Sequence, residues 1–230
     1  MADKQDNAKK DVAAEIETAV SRLEMWLEKY QKQIWIALAG IVVIAAVVFL
    51  VNRYYIQPRD VEAQDQMQMG QQLFAADNFQ AALDGDSADF IGFAAIADEY
   101  SGTASGNLAN YYAAVCCFHL GKYQEAIDFA NDFDDEGSIN PSVIIKGVIG
   151  DSYCELGDLD NALKYYKKAY EKDNIALSSI YLRKAGNVLE TQGKTDEAIQ
   201  LYKTIKSKYP QSPESQEADK WIERAAVSKK

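Results

Sequence analysis

Three columns of small residues, each repeating at a step of 36, constrain this 230-residue chain more than any other feature. Gly121, Gly157 and Gly193 each follow a Leu or Gln, in the contexts LGKYQEAI, LGDLDNAL and QGKTDEAI. Ala126, Ala162 and Ala198 lie five residues later, and Ala114, Gly150 and Gly186 lie seven residues earlier. Self-similarity at a fixed step of this size marks an architecture of stacked units. A glycine at the end of an amphipathic run closes a helix in the left-handed region, where a Cβ would clash. Small side chains on both members let two helices pack closely, so Gly150 and Gly186 are expected opposite Ala162 and Ala198. Tyr123, Tyr153, Tyr166 and Tyr202 are expected to fill the space between neighbouring pairs. A helix pair of this kind cannot cover its own apolar face, so the units must stack.

The pattern resembles the tetratricopeptide repeat family. Residues 143–174 carry it best, with Gly150, Tyr153, Gly157, Ala162, Tyr166 and Ala169; a following unit has Gly186, Gly193, Ala198, Tyr202 and Pro210. A looser unit has Ala114, Gly121, Tyr123 and Ala126. A degraded first unit offers Gly70, Phe79 and Ala82 at a spacing of 44, with a surplus near residues 84–88 before an expected helix over 90–100. The reading is all-α: units near 61–106, 107–142, 143–178 and 179–212, then a capping helix over 213–228 carrying Ala218, Trp221, Ile222 and Ala225.

Ahead of the repeats, residues 34–51 (IWIALAGIVVIAAVVFLV) hold no charge, amide or hydroxyl. Eighteen helical residues span roughly 27 Å, close to the hydrocarbon thickness of a bilayer. A buried helix of a soluble core would show a polar face somewhere in five turns. Residues 34–55 therefore read as a single transmembrane signal anchor, with Trp35, Tyr54 and Tyr55 at interfacial positions. Arg22, Lys29 and Lys32 before the span, against Arg53 and Arg59 after it, favour a cytoplasmic N-terminus. Pro58 is placed to start a new helix.

The tail, residues 1–33, carries Val12, Ile16, Val20, Leu23, Leu27, Tyr30 and Ile34 at steps of three and four, an amphipathic helix. Two uses fit that stripe: pairing with another helix, or simple extension of the membrane helix. Residues 1–10 are polar and expected to lack structure.

The net charge of -11 is concentrated after the span, where 18 basic and 28 acidic residues face each other, and the tail has six and seven. Such a domain lacks the Lys/Arg clusters that neutralise phosphates, which excludes nucleic acid as the expected partner. Three cysteines, two of them adjacent (Cys116 and Cys117), argue against a disulfide framework, leaving one conceivable bridge from Cys154 to the preceding unit. His119 is the only histidine, and no nucleophile elbow or phosphate loop occurs. Neither 132–137 nor 84–89 has the alternating oxygen ligands of a calcium loop. No catalytic, cofactor or metal site is expected.

By the repeat family's pattern, the concave face made by first helices binds partners. That resemblance selects Tyr111, Val115, Phe118 and His119, then Ile144, Asp151 and Glu155, then Arg183, Asn187 and Glu190. Arg183 and Asn187 match half of a clamp for a peptide's terminal carboxylate; Gly147 and Asp151 leave it incomplete. The other reading of the ten is packing between units. Tail, single span, short link and repeats together are similar to the ancillary subunit family of the bacterial Sec translocon. That likeness implies an inner-membrane protein with a periplasmic repeat domain, and as partners the translocon, a membrane-anchored chaperone or newly exported chains. A structural subunit of an envelope assembly is the alternative.

Overall fold

The computed structural model describes residues 2–86, 90–135 and 139–228. Among the described residues there is no strand, and the chain divides into two compact units, Met1–Tyr55 and Ile56–Lys230.

The first unit is essentially one helix, α1 (Ala2–Val51). It begins at Ala2, so residues 2–10 of the stretch expected to lack structure are helical. Extending an existing helix costs far less than nucleating one. Every side chain over residues 35–51 is exposed, among them Trp35, Ile36, Ile41, Val43 and Phe49. It is a helix long and apolar enough to cross a membrane. Of the apolar stripe in the tail, only Tyr30 and Ile34 have described side chains, and both are half-buried; Val12, Ile16, Val20, Leu23 and Leu27 lie outside the described side chains.

After α1 comes a π-helical turn, Asn52–Ile56, and then α2 (Gln57–Ala75), with Pro58 in its first turn. A proline there lacks the N–H that would reach back one turn, and its ring crowds that carbonyl; a wider turn just before it relieves both.

The second unit is a row of helical hairpins: α2 with α3 (Phe79–Asp84), α5 (Ala104–His119) with α6 (Tyr123–Asp132), α7 (Ile139–Glu155) with α8 (Leu159–Tyr170), and α9 (Ser178–Thr191) with α10 (Thr195–Lys208). The last helix, α11 (Pro213–Ser228), packs on α10 and α9 as a cap. Gly121, Gly157 and Gly193 end α5, α7 and α9 at φ of 74°, 79° and 74°. Ala126, Ala162 and Ala198 are fully buried.

The helix expected over 90–100 is shorter, α4 (Phe93–Glu99), because the surplus residues break the second helix of the first hairpin in two. Gly85 and Gly92, at φ of 89° and 91°, bring the two edges of this break backbone to backbone. A side chain at Gly85 would strike the Phe90 carbonyl. Past the break the helix resumes its role: Ile96 and Tyr100 bury as Ile205 and Tyr209 do, each tyrosine closing its helix. Arg59 donates to the Glu99 carbonyl and Asp60 accepts from the Ser105 backbone N–H at 2.8 Å, pinning the start of α2 to α4 and α5. Burial pushes the Asp60 carboxyl up, but the bonds from Ser105 outweigh it and hold it below its ordinary value.

The small-residue columns meet partners other than those expected. Gly150 and Gly186 do not chiefly face Ala162 and Ala198: a Cβ on Gly150 would stand 2.6 Å from the Tyr166 ring, and one on Gly186 would enter the Tyr202 ring. Gly147 is likewise covered by Tyr181, and Gly70 by Phe93 and Phe90. Glycine on the first helix is thus a seat for an aromatic ring. In the looser unit the corresponding pair is Ala114 and Ala130, both buried in one cluster, where two methyl groups replace a ring and a hydrogen. Burying a ring as large as that of Tyr202, Phe90 or Phe93 contributes on the order of 1.5–3 kcal/mol.

Candidate functional site

The first helices α5, α7 and α9 carry all ten residues picked out for a concave face. On α5, Tyr111 is half-buried, edge-on to Tyr112 at 5.4 Å and tilted against Phe133 at 5.6 Å. Val115 and Phe118, with Ile144 of α7, are half-buried against the core shared by the first hairpins. His119 is exposed yet lies flat on Phe79, with ring centres 4.2 Å apart and planes 4° apart. Phe118 continues this aromatic edge to Tyr123, whose hydroxyl donates to Glu155 at 3.4 Å.

Toward the C-terminal end the face is polar and largely engaged. The Tyr166 hydroxyl donates to Asp151 at 2.7 Å, and Lys184 of the next unit donates to both Asp151 oxygens at 2.7 and 2.6 Å. One unit later the Tyr202 hydroxyl donates to Asn187 at 3.0 Å and to Glu190 at 2.5 Å, and Arg224 of the cap reaches Glu190 at 2.7 Å and Asn187 at 3.4 Å. Arg183 lies over the Trp221 ring at 5.7 Å. A terminal-carboxylate clamp would need both Arg183 and Asn187, and each already faces the cap.

These contacts set the titration of the face. Burial pushes the Tyr166 and Tyr202 hydroxyls well above the ordinary tyrosine range, helped by the acids beside them. Burial also pushes Glu190 up, but the hydrogen bonds from Arg224 and Tyr202 outweigh it and leave its carboxyl below its usual value. In the segment between α6 and α7, Asp135 is held low, first by the Ser142 hydroxyl and then, against burial, by Lys146 and Lys172.

Two clefts border these helices. One, about 270 Å³, is lined by Asp151, Cys154, Tyr166, Lys184, Asn187 and Thr191. The larger, about 700 Å³, lies between α4, α5 and α6 and is lined by Asp98, Asn107, Asn110, Asp132 and Asp134 among others. Among the described residues no three His, Cys, Asp or Glu side chains are grouped to hold a metal. Residues 87–89 and 136–137 of the two acidic stretches lie outside the described residues. All three cysteines are free thiols, and burial pushes Cys116 and Cys117 up to about 12, so they stay protonated.

Lys184, Arg224 and the hydroxyls of Tyr166 and Tyr202 were not anticipated in these roles. Their signal is present as spacing: Tyr166 follows Asp151 and Tyr202 follows Asn187 by 15 residues, and Lys184 and Arg224 follow the acids they meet by 33 and 34.

A family model for the tetratricopeptide repeat matches residues 61–140 and 148–213, and the chain belongs to that family. No curated protein matches the chain. Repeats of this kind form a protein–protein interaction scaffold.

Proposed function

We propose that this is a non-enzymatic scaffold held at a membrane by residues 34–55, whose repeat unit holds a protein partner close to the bilayer. The observation that carries the reading is the helix over residues 35–51, exposed on every side and without a charged, amide or hydroxyl side chain. In water such a surface would aggregate; in lipid it is satisfied. The basic residues favour a cytoplasmic tail and a repeat unit on the other side, the periplasm of a bacterial inner membrane. Partners of that setting are the translocation channel, a membrane-anchored chaperone and exported chains. Binding through the aromatic end of α5, at Tyr111, Val115 and Phe118, suits extended apolar segments.

A second reading, a permanent structural subunit of an envelope assembly, draws on the engaged state of Asp151, Asn187 and Glu190, which leaves little of the polar end for a transient client. Protease added to right-side-out vesicles tests the placement: the repeats are degraded and the tail is protected. Protection of the repeats would overturn it. Crosslinking before gentle detergent extraction separates the two readings, since a permanent subunit yields one stoichiometric complex and a client scaffold yields many substoichiometric products.

A further inference from the structure

The cleft of about 700 Å³ between α4, α5 and α6 is lined by none of the ten residues picked out on the first helices. Ala94, Ala97 and the half-buried ring of Phe129 supply its apolar part, and Asp98, Asp132 and Asp134 its charge. Among the described residues, the exposed Asp98 and Asp132 carboxylates have no ion pair or hydrogen bond, and neither has the half-buried Asn110 amide, which also lines the cleft. One wall is held in place. The Asn107 side chain donates to the Asp134 carbonyl at 2.9 Å and accepts from the Asp134 N–H at 2.7 Å.

Asp98 and Asp132 stand at the unfavourable end of a helix for an acid. Each lies in the last turn of its helix, α4 or α6, where the dipole is negative, and neither last turn holds a base. The second helices of the later units end the opposite way, α8 with Lys167 and Lys168, and α10 with Lys206 and Lys208. The contrast extends along the chain: residues 56–136 hold 15 acidic and two basic residues, whereas residues 137–230 hold 13 and 15. Of the two bases, Arg59 donates to the Glu99 carbonyl, and Lys122 precedes α6, at the end away from Asp132.

We propose that this cleft docks a segment of a protein partner that carries Arg or Lys, its cation held by Asp98 and Asp132 and its stem lying against Phe129 and the two alanines. The surface is separate from that of the first helices, so the inference goes beyond the reading above. A long cationic side chain joins an apolar stem to a charged head, which matches the mixed lining, and the face of an aromatic ring attracts a cation. Asn110 offers a donor and an acceptor together, which suits a peptide group rather than a bare polyamine. The N-terminus of α5 also borders the cleft and would favour an anion, but its N–H groups are taken. Ser105 donates to Asp60 at 2.8 Å and Gly106 to the Thr103 hydroxyl at 2.9 Å.

Titration of the full chain in non-ionic detergent against a fluorescent Ala-Arg-Ala-Arg-Ala peptide, read by anisotropy, tests this. The citrulline counterpart, which keeps the shape and loses the charge, should bind about tenfold more weakly. Asp98→Asn combined with Asp132→Asn should weaken binding of the Arg peptide about fivefold. Asp196→Asn combined with Glu197→Gln, an equal change of charge on α10, should alter it less than about twofold, because salt screens distant charges. Both double variants keep side-chain size at exposed positions, so the fold is retained. Equal losses in the two double variants, no binding of the Arg peptide, equal binding of the citrulline peptide, or spermidine binding as tightly as the Arg peptide would overturn the proposal.

Discussion

The ring of Tyr166 occupies the space in which a Cβ on Gly150 would stand, 2.6 Å away, and the Tyr166 hydroxyl reaches the next residue, Asp151, at 2.7 Å. One ring thus locks the hairpin of α7 and α8, and its hydroxyl positions the carboxylate that Lys184 grips from the next unit at 2.6 Å. A related device follows in the next unit: Gly186 and Tyr202 stand 36 residues after Gly150 and Tyr166, the Tyr202 hydroxyl reaches Asn187 and Glu190, and Arg224 of the cap grips Glu190.

Gly150→Ala should destabilise the repeat unit by about 1–3 kcal/mol, because a methyl forced into a packed contact displaces the ring. Combined with Tyr166→Ala, which recreates the natural Ala114 and Ala130 pair, it should cost less than the two single changes summed. Thermal unfolding of the four chains in detergent measures the coupling. Strict additivity would mean that ring and glycine do not share one space.

Gly157→Ala probes the backbone alone, since nothing lies within 4 Å of a Cβ there while φ is +79°. A loss of roughly 1 kcal/mol is expected from the left-handed conformation. Gly157→Asn should recover part of it, as Asn tolerates that region. Equal losses for both variants would point to a contact rather than to conformation.

The acids that join units should make stability fall in acid. Asp135 and Glu190 have carboxyls held below their ordinary values of 3.8 and 4.5. A depressed folded-state value means the contribution is fully present above the unfolded value and is lost as pH falls through the folded one. Melting temperature should therefore decline below about pH 4.5, and less steeply in Glu190→Gln. A variant that tracks the wild type through that window would remove Glu190 from the account.

Thiol labelling should rank the cysteines. Cys116 and Cys117 are fully buried and pushed up to about 12, whereas Cys154 is half-buried at the edge of the smaller cleft. Cys154 should react first with a disulfide reagent near neutral pH, and the adjacent pair only on unfolding. Early labelling of Cys116 would mean that α5 opens readily.

The stacked hairpins were legible because glycines at 121, 157 and 193 serve a local need, a left-handed residue after each first helix, and local needs leave marks at fixed steps. The partners of Gly150 and Gly186 were not, because a helix seat reads alike whether a methyl or a ring fills it; only the position 16 residues later, Tyr in two units and Ala130 in a third, tells them apart. The break between α3 and α4 was visible as surplus length. Its form depends on Gly85 and Gly92 meeting backbone to backbone, a contact that spacing does not encode. The repeat pattern picked out ten positions on the first helices, but whether Asp151 or Glu190 is free depends on Lys184 and Arg224 arriving from the next unit and the cap.

Alkaline carbonate extraction of membranes from cells making the full chain bears most directly on the proposal of a scaffold held at a bilayer. The chain should remain in the membrane pellet, and a chain with charged residues at Val43 and Val47 should appear in the supernatant. Recovery of the unaltered chain in the supernatant would contradict the anchor and detach the repeats from any membrane role.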